Sequence, residues 1–320
     1  MGRGTASRVV NGSPHVSPAA RAAVEEAVES MGYVPNRAAR SLVTRRTDII
    51  ALVVSEPGDR VFGEPYFGAI VRGVGERLGA TTFQLMLTMA GTERDRARVA
   101  AYLTEQHVDG VLLLSLHAND GLVATLDGRG VPTVCGGAVA GTDPAVLVDA
   151  DNRAGGAVAI EHLLATGRRR IAVLTGPQDM TSGRNRLAGA RDALRAAGRD
   201  TEGLVVAFGD YSEDSGERAM REVLGAGVVP DAVFAASDLM AVGALRVLRE
   251  AGLRVPDDVA LVGFDDSAVC RHTDPALTSV HQPVEEMGRV MADLLLARIA
   301  GEPVPPITVL PTRLVVRASA

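Results

Sequence analysis

From residue 49 onward the chain alternates short, unbroken apolar runs with amphipathic stretches. The first run is Ile49-Ile50-Ala51-Leu52-Val53-Val54, and others follow at 82–88, 110–115, 131–135, 146–149, 171–175, 204–207, 232–236 and 259–263. Helical periodicity fills the gaps at 66–79, 93–106, 119–128, 153–166, 182–197 and 239–251, where Gly252 occupies the position after the C-cap. A half-exposed strand would alternate apolar and polar residues. Continuous runs separated by helices instead imply parallel strands buried on both faces. The expected fold is α/β, two doubly wound parallel-sheet lobes, because one sheet of a dozen strands would exceed the usual size. The last stretch, a helix at 284–299, a turn at Pro303, Pro305 and Pro306, and a strand at 312–316, is too short for a third unit and must complete those lobes.

The first 46 residues read differently. Ser17-Pro18 offers a helix N-cap and a favoured first helical residue, Val24, Val28 and Met31 share one helical face, and Gly32 stops the helix. Before it, 4–11 has helical character, broken at Asn11-Gly12-Ser13-Pro14. After it, 35–42 could form a turn and a half of helix that does not hold itself together alone.

Charge divides at the same place. The chain has no Lys, and its 33 Arg face 39 acids for a net charge of −6. Residues 1–46 carry seven Arg against three Glu, net +4, leaving −10 on the rest. A basic head on an acidic body suits contact with a polyanion, a solvated basic tail being the alternative. Two distant cysteines, Cys135 and Cys270, without His or Cys at ligand spacing, imply neither a metal site nor a disulfide framework. With no signal-like apolar segment and no run long enough to span a bilayer, the expected setting is cytoplasmic, away from membranes.

Three motifs of the head occur in order: Thr5-Ala6-Ser7-Arg8-Val9-Val10-Asn11-Gly12, then Gly32-Tyr33-Val34-Pro35-Asn36, then Ala38-Ala39-Arg40-Ser41-Leu42. Together they resemble the headpiece and hinge of the lactose-repressor (LacI/GalR) family of transcription factors. The resemblance implies a helix-turn-helix head (1–34), a hinge (35–47) and a body whose lobes comprise 48–150 with 283–308 and 151–282 with 309–320. It places Arg3, Gly4, Thr5, Ser7, Arg8 and Asn11 on operator DNA, where Arg8 could grip a guanine or a phosphate and the hydroxyls could bond phosphate oxygens. In the hinge it makes Leu42 a minor-groove wedge with Ala39 beside it, packing of Leu42 on the body being the alternative. The family's head begins with another helix, where this chain has Met1-Gly2. Either Met1 is an internal Val codon read as a start, or the head has degenerated.

The body carries the resemblance further, through Asp151-Asn152, Gly155-Gly156, Arg184-Asn185-Arg186-Leu187-Ala188-Gly189, Ser237-Asp238-Leu239 and Gly263-Phe264-Asp265-Asp266. It implies a cleft for a sugar or related effector, lined by Tyr66, Phe67, Ser115, Asp149, Arg184, Tyr211, Ser237, Asp265 and Gln282. Such positions at strand ends are where open α/β sheets bind ligands. Asp265 could accept two adjacent hydroxyls and Arg184 donate to ring oxygens, against bland roles as a turn residue and a surface ion pair. Asp238 reads as a helix N-cap and His162 as helix packing.

No Gly-x-Ser-x-Gly elbow or phosphate-binding loop occurs, there is no Lys, and Gly73-Val74-Gly75 lacks the third glycine of a dinucleotide motif. The reading is a non-enzymatic, effector-responsive regulator, most often a repressor in this family, without cofactor or metal. It would bind pseudo-palindromic operator DNA as a homodimer. The alternatives are a solute-binding protein of a transporter, or a ligand-binding regulator without DNA binding.

Overall fold

The computed structural model describes residues 2–10, 15–32, 46–118, 120–138, 146–227 and 229–320. Two helices form the described head, α1 (Arg3–Val10) and α2 (Pro18–Ser30). The Ser17 hydroxyl accepts the Ala20 N–H at 3.3 Å, Pro18 opens α2, and Gly32 ends it in the left-handed region at φ 55°. Val9 and Val24 are buried. The expected apolar stripe of α2 is not covered throughout, because Met31 is 72% exposed. Asn11 and the hinge residues Ala39 and Leu42 lie outside the described residues.

The body starts at Thr47 and Asp48, whose N–H groups both donate to the Asp109 carboxylate at 2.8 Å. The first lobe contains β1 (Ile49–Val54), α3 (Gly58–Gly63), α4 (Pro65–Leu78), β2 (Gln84–Met89) and α5 (Glu93–Thr104). It continues through β3 (Gly110–Leu114), α6 (Leu122–Gly128), β4 (Thr133–Gly136) and β5 (Leu147–Ala150). The second contains α7 (Asn152–Ala165), β6 (Ile171–Thr175), α8 (Thr181–Ala196), β7 (Val205–Phe208) and α9 (Glu213–Gly225). It ends with β8 (Ala232–Ala235), α10 (Asp238–Glu250), β9 (Ala260–Asp265) and β10 (Thr278–His281). The chain then returns to the first lobe for α11 (Val284–Ile299) and β11 (Ile307–Leu310) and finishes in the second with β12 (Arg313–Val315).

Two six-stranded sheets result, ordered β11-β5-β4-β3-β1-β2 and β12-β10-β9-β8-β6-β7. Their pairs are parallel except β10 with β12. As the continuous apolar runs require, β1 from Ile50 onward, β3 and β8 are buried along their length, and each sheet has an apolar cluster on both faces. α11 belongs to the first sheet, since Met287, Met291 and Leu295 pack with Ile50 and Leu52. The expected change of lobe after residue 308 falls inside β11. That strand keeps its register with β5 as far as Leu310, which moves the crossing to 311–312.

Candidate functional site

Loops at the C-terminal ends of both sheets face each other across a cleft. Its floor is built around Arg186 on α8, which is 5% exposed. Nε donates to Asn152 Oδ1 at 2.8 Å, Nη1 to the Ala236 carbonyl at 2.5 Å and Nη2 to Gln282 Oε1 at 3.1 Å. Nη1 also lies 3.6 Å from Asp265 Oδ1, and the guanidinium stacks 3.6 Å from the centroid of the Phe264 ring. A buried charge is tolerated only with such pairing.

Glycines make this position reachable. A side chain at Gly156 would strike the Arg186 carbonyl and one at Gly189 the Arg153 carbonyl, so α7 and α8 touch backbone to backbone. Gly155 leaves room for the Phe264 ring on which Arg186 stacks.

Three carboxylates stand around the floor. Asp149 accepts from Asn152 Nδ2 at 3.0 Å and from the Ala150 N–H at 2.8 Å. Burial pushes it up to about 6 against those hydrogen bonds and the Arg186 charge. Burial also holds Asp265 well above the usual carboxylate range, opposed by Arg186. Asp238 accepts from the Ser267 N–H at 2.7 Å and the Ser279 hydroxyl at 2.5 Å, and burial raises it too. Above the floor, the Tyr66 and Phe67 rings meet edge to face at 5.3 Å, and the Tyr211 hydroxyl lies 2.9 Å from Ser182 Oγ. Ser115, Tyr211 and Asp265 all have left-handed backbone, at φ 57°, 75° and 110°, a strain that gathers at functional sites.

A second polar network runs along the seam between the lobes. Glu56, 4% exposed, accepts from Ser115 Oγ at 2.7 Å, lies 3.1 Å from Arg60 Nη1 and 3.2 Å from His117 Nε2. His117 Nδ1 reaches across to Asp179 Oδ2 at 2.7 Å, and Arg60 donates to the Asp210 carbonyl. Burial pushes Glu56 up, but the His117 hydrogen bond, Arg60 and Ser115 outweigh it and leave it below its ordinary value. The Glu56 hydrogen bond, opposed by burial and aided by Asp179, lifts His117 to about 9.

Of the expected effector residues, Tyr66, Phe67, Ser115, Asp149, Tyr211, Ser237, Asp265 and Gln282 all line this one cleft. Arg184 does not. It is exposed, with Nη2 3.2 Å from Thr181 Oγ1, while Arg186 occupies the cleft. Two helical residues are about 200° apart, so the two arginines sit on opposite faces of α8. The signal that identifies Arg186 is its place on the helix face carrying Leu187, Ala190, Ala193 and Leu194, where an Arg is otherwise out of character. Asp238 is likewise not the cap of α10. Ser237 Oγ accepts the Met240 N–H at 3.1 Å and donates to the Tyr211 carbonyl at 2.8 Å, which leaves Asp238 as a buried carboxylate. Ser267, absent from the expected set, also lines the cleft beside Asp238, and Gln282 Nε2 is buried there without a hydrogen-bond partner.

In the head, Gly4 and Arg8 are exposed and Thr5 is half-buried on α1. Arg3 and Ser7 belong to the same helix. Among the described residues no group of three His, Cys, Asp or Glu is placed to hold a metal ion, and no helix is long and apolar enough to cross a membrane.

Residues 2–36 match the lacI family of bacterial regulatory proteins, and residues 160–320 match a periplasmic binding protein-like domain. The chain is 54% identical to the HTH-type transcriptional regulator CelR of Thermobifida fusca, across 100% of this chain and 95% of that protein. It is 34% identical to the ribose operon repressor of Escherichia coli (strain K12), across 92% of this chain and 88% of the repressor. A solved complex of CelR with cellobiose superposes with a TM-score of 0.84 at 52% identity, covering 100% of this chain and 96% of that one. The lac repressor dimer bound to operator and an anti-inducer gives 0.85 at 30% identity, covering 99% and 94%. With its paired lobes, its strand-end cleft and relatives matched along almost their whole length, the chain belongs to the lacI family of transcriptional regulators.

Proposed function

We propose that this regulator is a repressor whose lobes close on a glucose disaccharide of the cellobiose type and thereby change how firmly a paired head holds operator DNA. The observation that carries the reading is the Arg186 hub, a buried donor array flanked by Asp149 and Asp265. Such an array suits neutral, hydroxyl-rich ligands, because carboxylates accept from vicinal hydroxyls while the guanidinium donates to ring and hydroxyl oxygens. Tyr66, Phe67 and Tyr211 supply apolar cover for a sugar face. The strong likeness to CelR, solved with cellobiose, favours that sugar class over pentoses.

In this reading residues 1–34 and 35–47 are the DNA-reading head and hinge, with Arg3, Gly4, Thr5, Ser7, Arg8 and Asn11 on the operator and Ala39 and Leu42 in its minor groove. The lobes are 48–150 with 283–310 and 151–282 with 311–320. Two copies on a pseudo-palindromic site would place one head per half-site. Effector closure acts on DNA only to the extent that the ligand prefers one closure state, by roughly 1–3 kcal/mol for a 5–150-fold effect.

Fluorescence anisotropy of the full chain on its gene's upstream DNA tests this. The expected result is specific, salt-sensitive binding that cellobiose shifts at least about fivefold, while ribose does not. Absence of specific binding, or a response to ribose alone, would overturn it.

A further inference from the structure

Two of the strands that end at the cleft begin where the chain enters the body. β3 carries Ser115 and His117 just past its C-terminal end and Asp109 immediately before its start, a span of about 20 Å. β1 likewise leads from Asp48 to Glu56.

Three donors converge on the Asp109 carboxylate. Oδ1 accepts from the Thr47 N–H at 2.8 Å and from the Thr47 hydroxyl at 3.1 Å, and Oδ2 accepts from the Asp48 N–H at 2.8 Å. The backbone around it is tied down as well, because the Asp109 N–H donates to the Ile49 carbonyl and the Gln84 N–H to the Asp48 carbonyl, both at 2.8 Å. Asp48 sits in the left-handed region at φ 55°, a conformation that persists where neighbouring contacts impose it. Pairing of β1 with β3 does not need this clamp, since their register runs from Ile50 with Gly110 to Val54 with Leu114. Thr47 and Asp48 are only half-buried, so water would satisfy their N–H groups if the carboxylate did not. The carboxylate therefore fixes a bend, not a strand.

We infer that Asp109 is a positioning residue that sets the direction in which the hinge leaves the body, and that through it a shift of β1 and β3 at the cleft reaches the DNA-reading head. The inference rests on the proposed reading of 35–47 as the hinge. A rigid strand carries a displacement along its length, and a clamp at its far end passes on what slack residues would absorb.

Anisotropy of the full chain on its gene's upstream DNA, with and without cellobiose, tests this beside isothermal titration with cellobiose. Asp109→Ala should bind cellobiose within twofold of the unaltered chain. Its operator affinity should fall at least about tenfold, because operator binding must then order two freed residues. Cellobiose should shift that affinity by less than about twofold, against about fivefold or more in the unaltered chain. Asp109→Asn keeps an oxygen for Thr47 but turns an amide toward the Asp48 N–H, so it should fall between the two, and it carries the test if Asp109→Ala does not fold. Operator affinity and cellobiose response both within twofold of the unaltered chain in Asp109→Ala overturn the clamp alone. So does a loss of cellobiose binding equal to the loss of operator binding, which marks a general folding defect. If the unaltered chain binds the DNA but ignores cellobiose, the sugar reading falls and the operator affinity of Asp109→Ala still decides the clamp.

Discussion

The floor of the cleft and the seam between the lobes use the same residue types for different work. At the floor, Arg186 is 5% exposed and its partners Asn152, Ala236, Asp265 and Gln282 all stand on the second lobe or at its crossovers. That network needs no residue of the opposing lobe's strand-end loops. At the seam, the side chains of His117 and Asp179 are 31% and 53% exposed, and the contacts of His117 with Asp179 and of Arg60 with Asp210 exist only when the lobes approach. In the proposed reading the floor sets what is bound, and the seam sets how often the cleft is closed around it.

The largest expected effect tests the floor. Arg186→Ala leaves Asp265 buried without its countercharge, a loss of roughly 3–5 kcal/mol. Effector binding should disappear from titration and the melting temperature should fall. If the variant melts like the unaltered chain and still binds, the floor is not the organising element.

The seam should cost less. Asp179→Asn removes a partly exposed pair worth about 0.2–1 kcal/mol, so effector affinity should drop by up to about fivefold with the melting temperature unchanged. An effect as large as that of Arg186→Ala would erase the distinction.

Alkaline titration sharpens it. His117 is raised from its ordinary value to about 9, so its stabilising charge is complete below the unperturbed value near 6.5 and lost as pH rises through about 9. Glu56 lies on the same lobe and stays beside His117 in either state, so only the Asp179 share favours closure. Effector affinity should thus decline by about two- to threefold between pH 7 and 10, and His117→Gln should flatten the profile. The chain has no Lys, and burial pushes Cys135 up to about 12 and raises Cys270 as well, so neither amine side chains nor thiols contribute to that decline. A decline that persists in His117→Gln would assign it elsewhere.

The smallest effect is expected at Arg184→Ala. With its side chain on the exposed face of α8, effector affinity should change by less than about twofold. A loss comparable to that at Arg186 would return the site to the other face of the helix.

Much of the body could be read before any coordinates, since an unbroken run such as 171–175 or 110–114 declares its burial on both faces within a few residues. α9 escapes that reading. Its sequence Glu213-Asp214-Ser215-Gly216-Glu217-Arg218 looks like a polar loop, and only the Ser212 cap and the spaced Ala219, Met220 and Val223 disclose the helix. β11 escapes for another reason. Its exposed Ile307 and Val309 follow a proline-rich turn, and the strand earns its place by pairing with β5, far away in the chain. Candidate cleft residues were legible where they stand at or just past the C-terminal end of a strand, as Asp265 does on β9 and Tyr211 does after β7. They were not where the choice lay between two arginines two residues apart.

The order of strands and helices, the basic head and the family motifs are properties of short windows, and a chain of these residues carries them wherever it goes. Which arginine enters the cleft depends on a glycine contact between α7 and α8, and the seam joins residues 62 and 150 positions apart. Contacts at such separations leave no periodic trace, because local patterning records which face of an element is buried and not which element buries it.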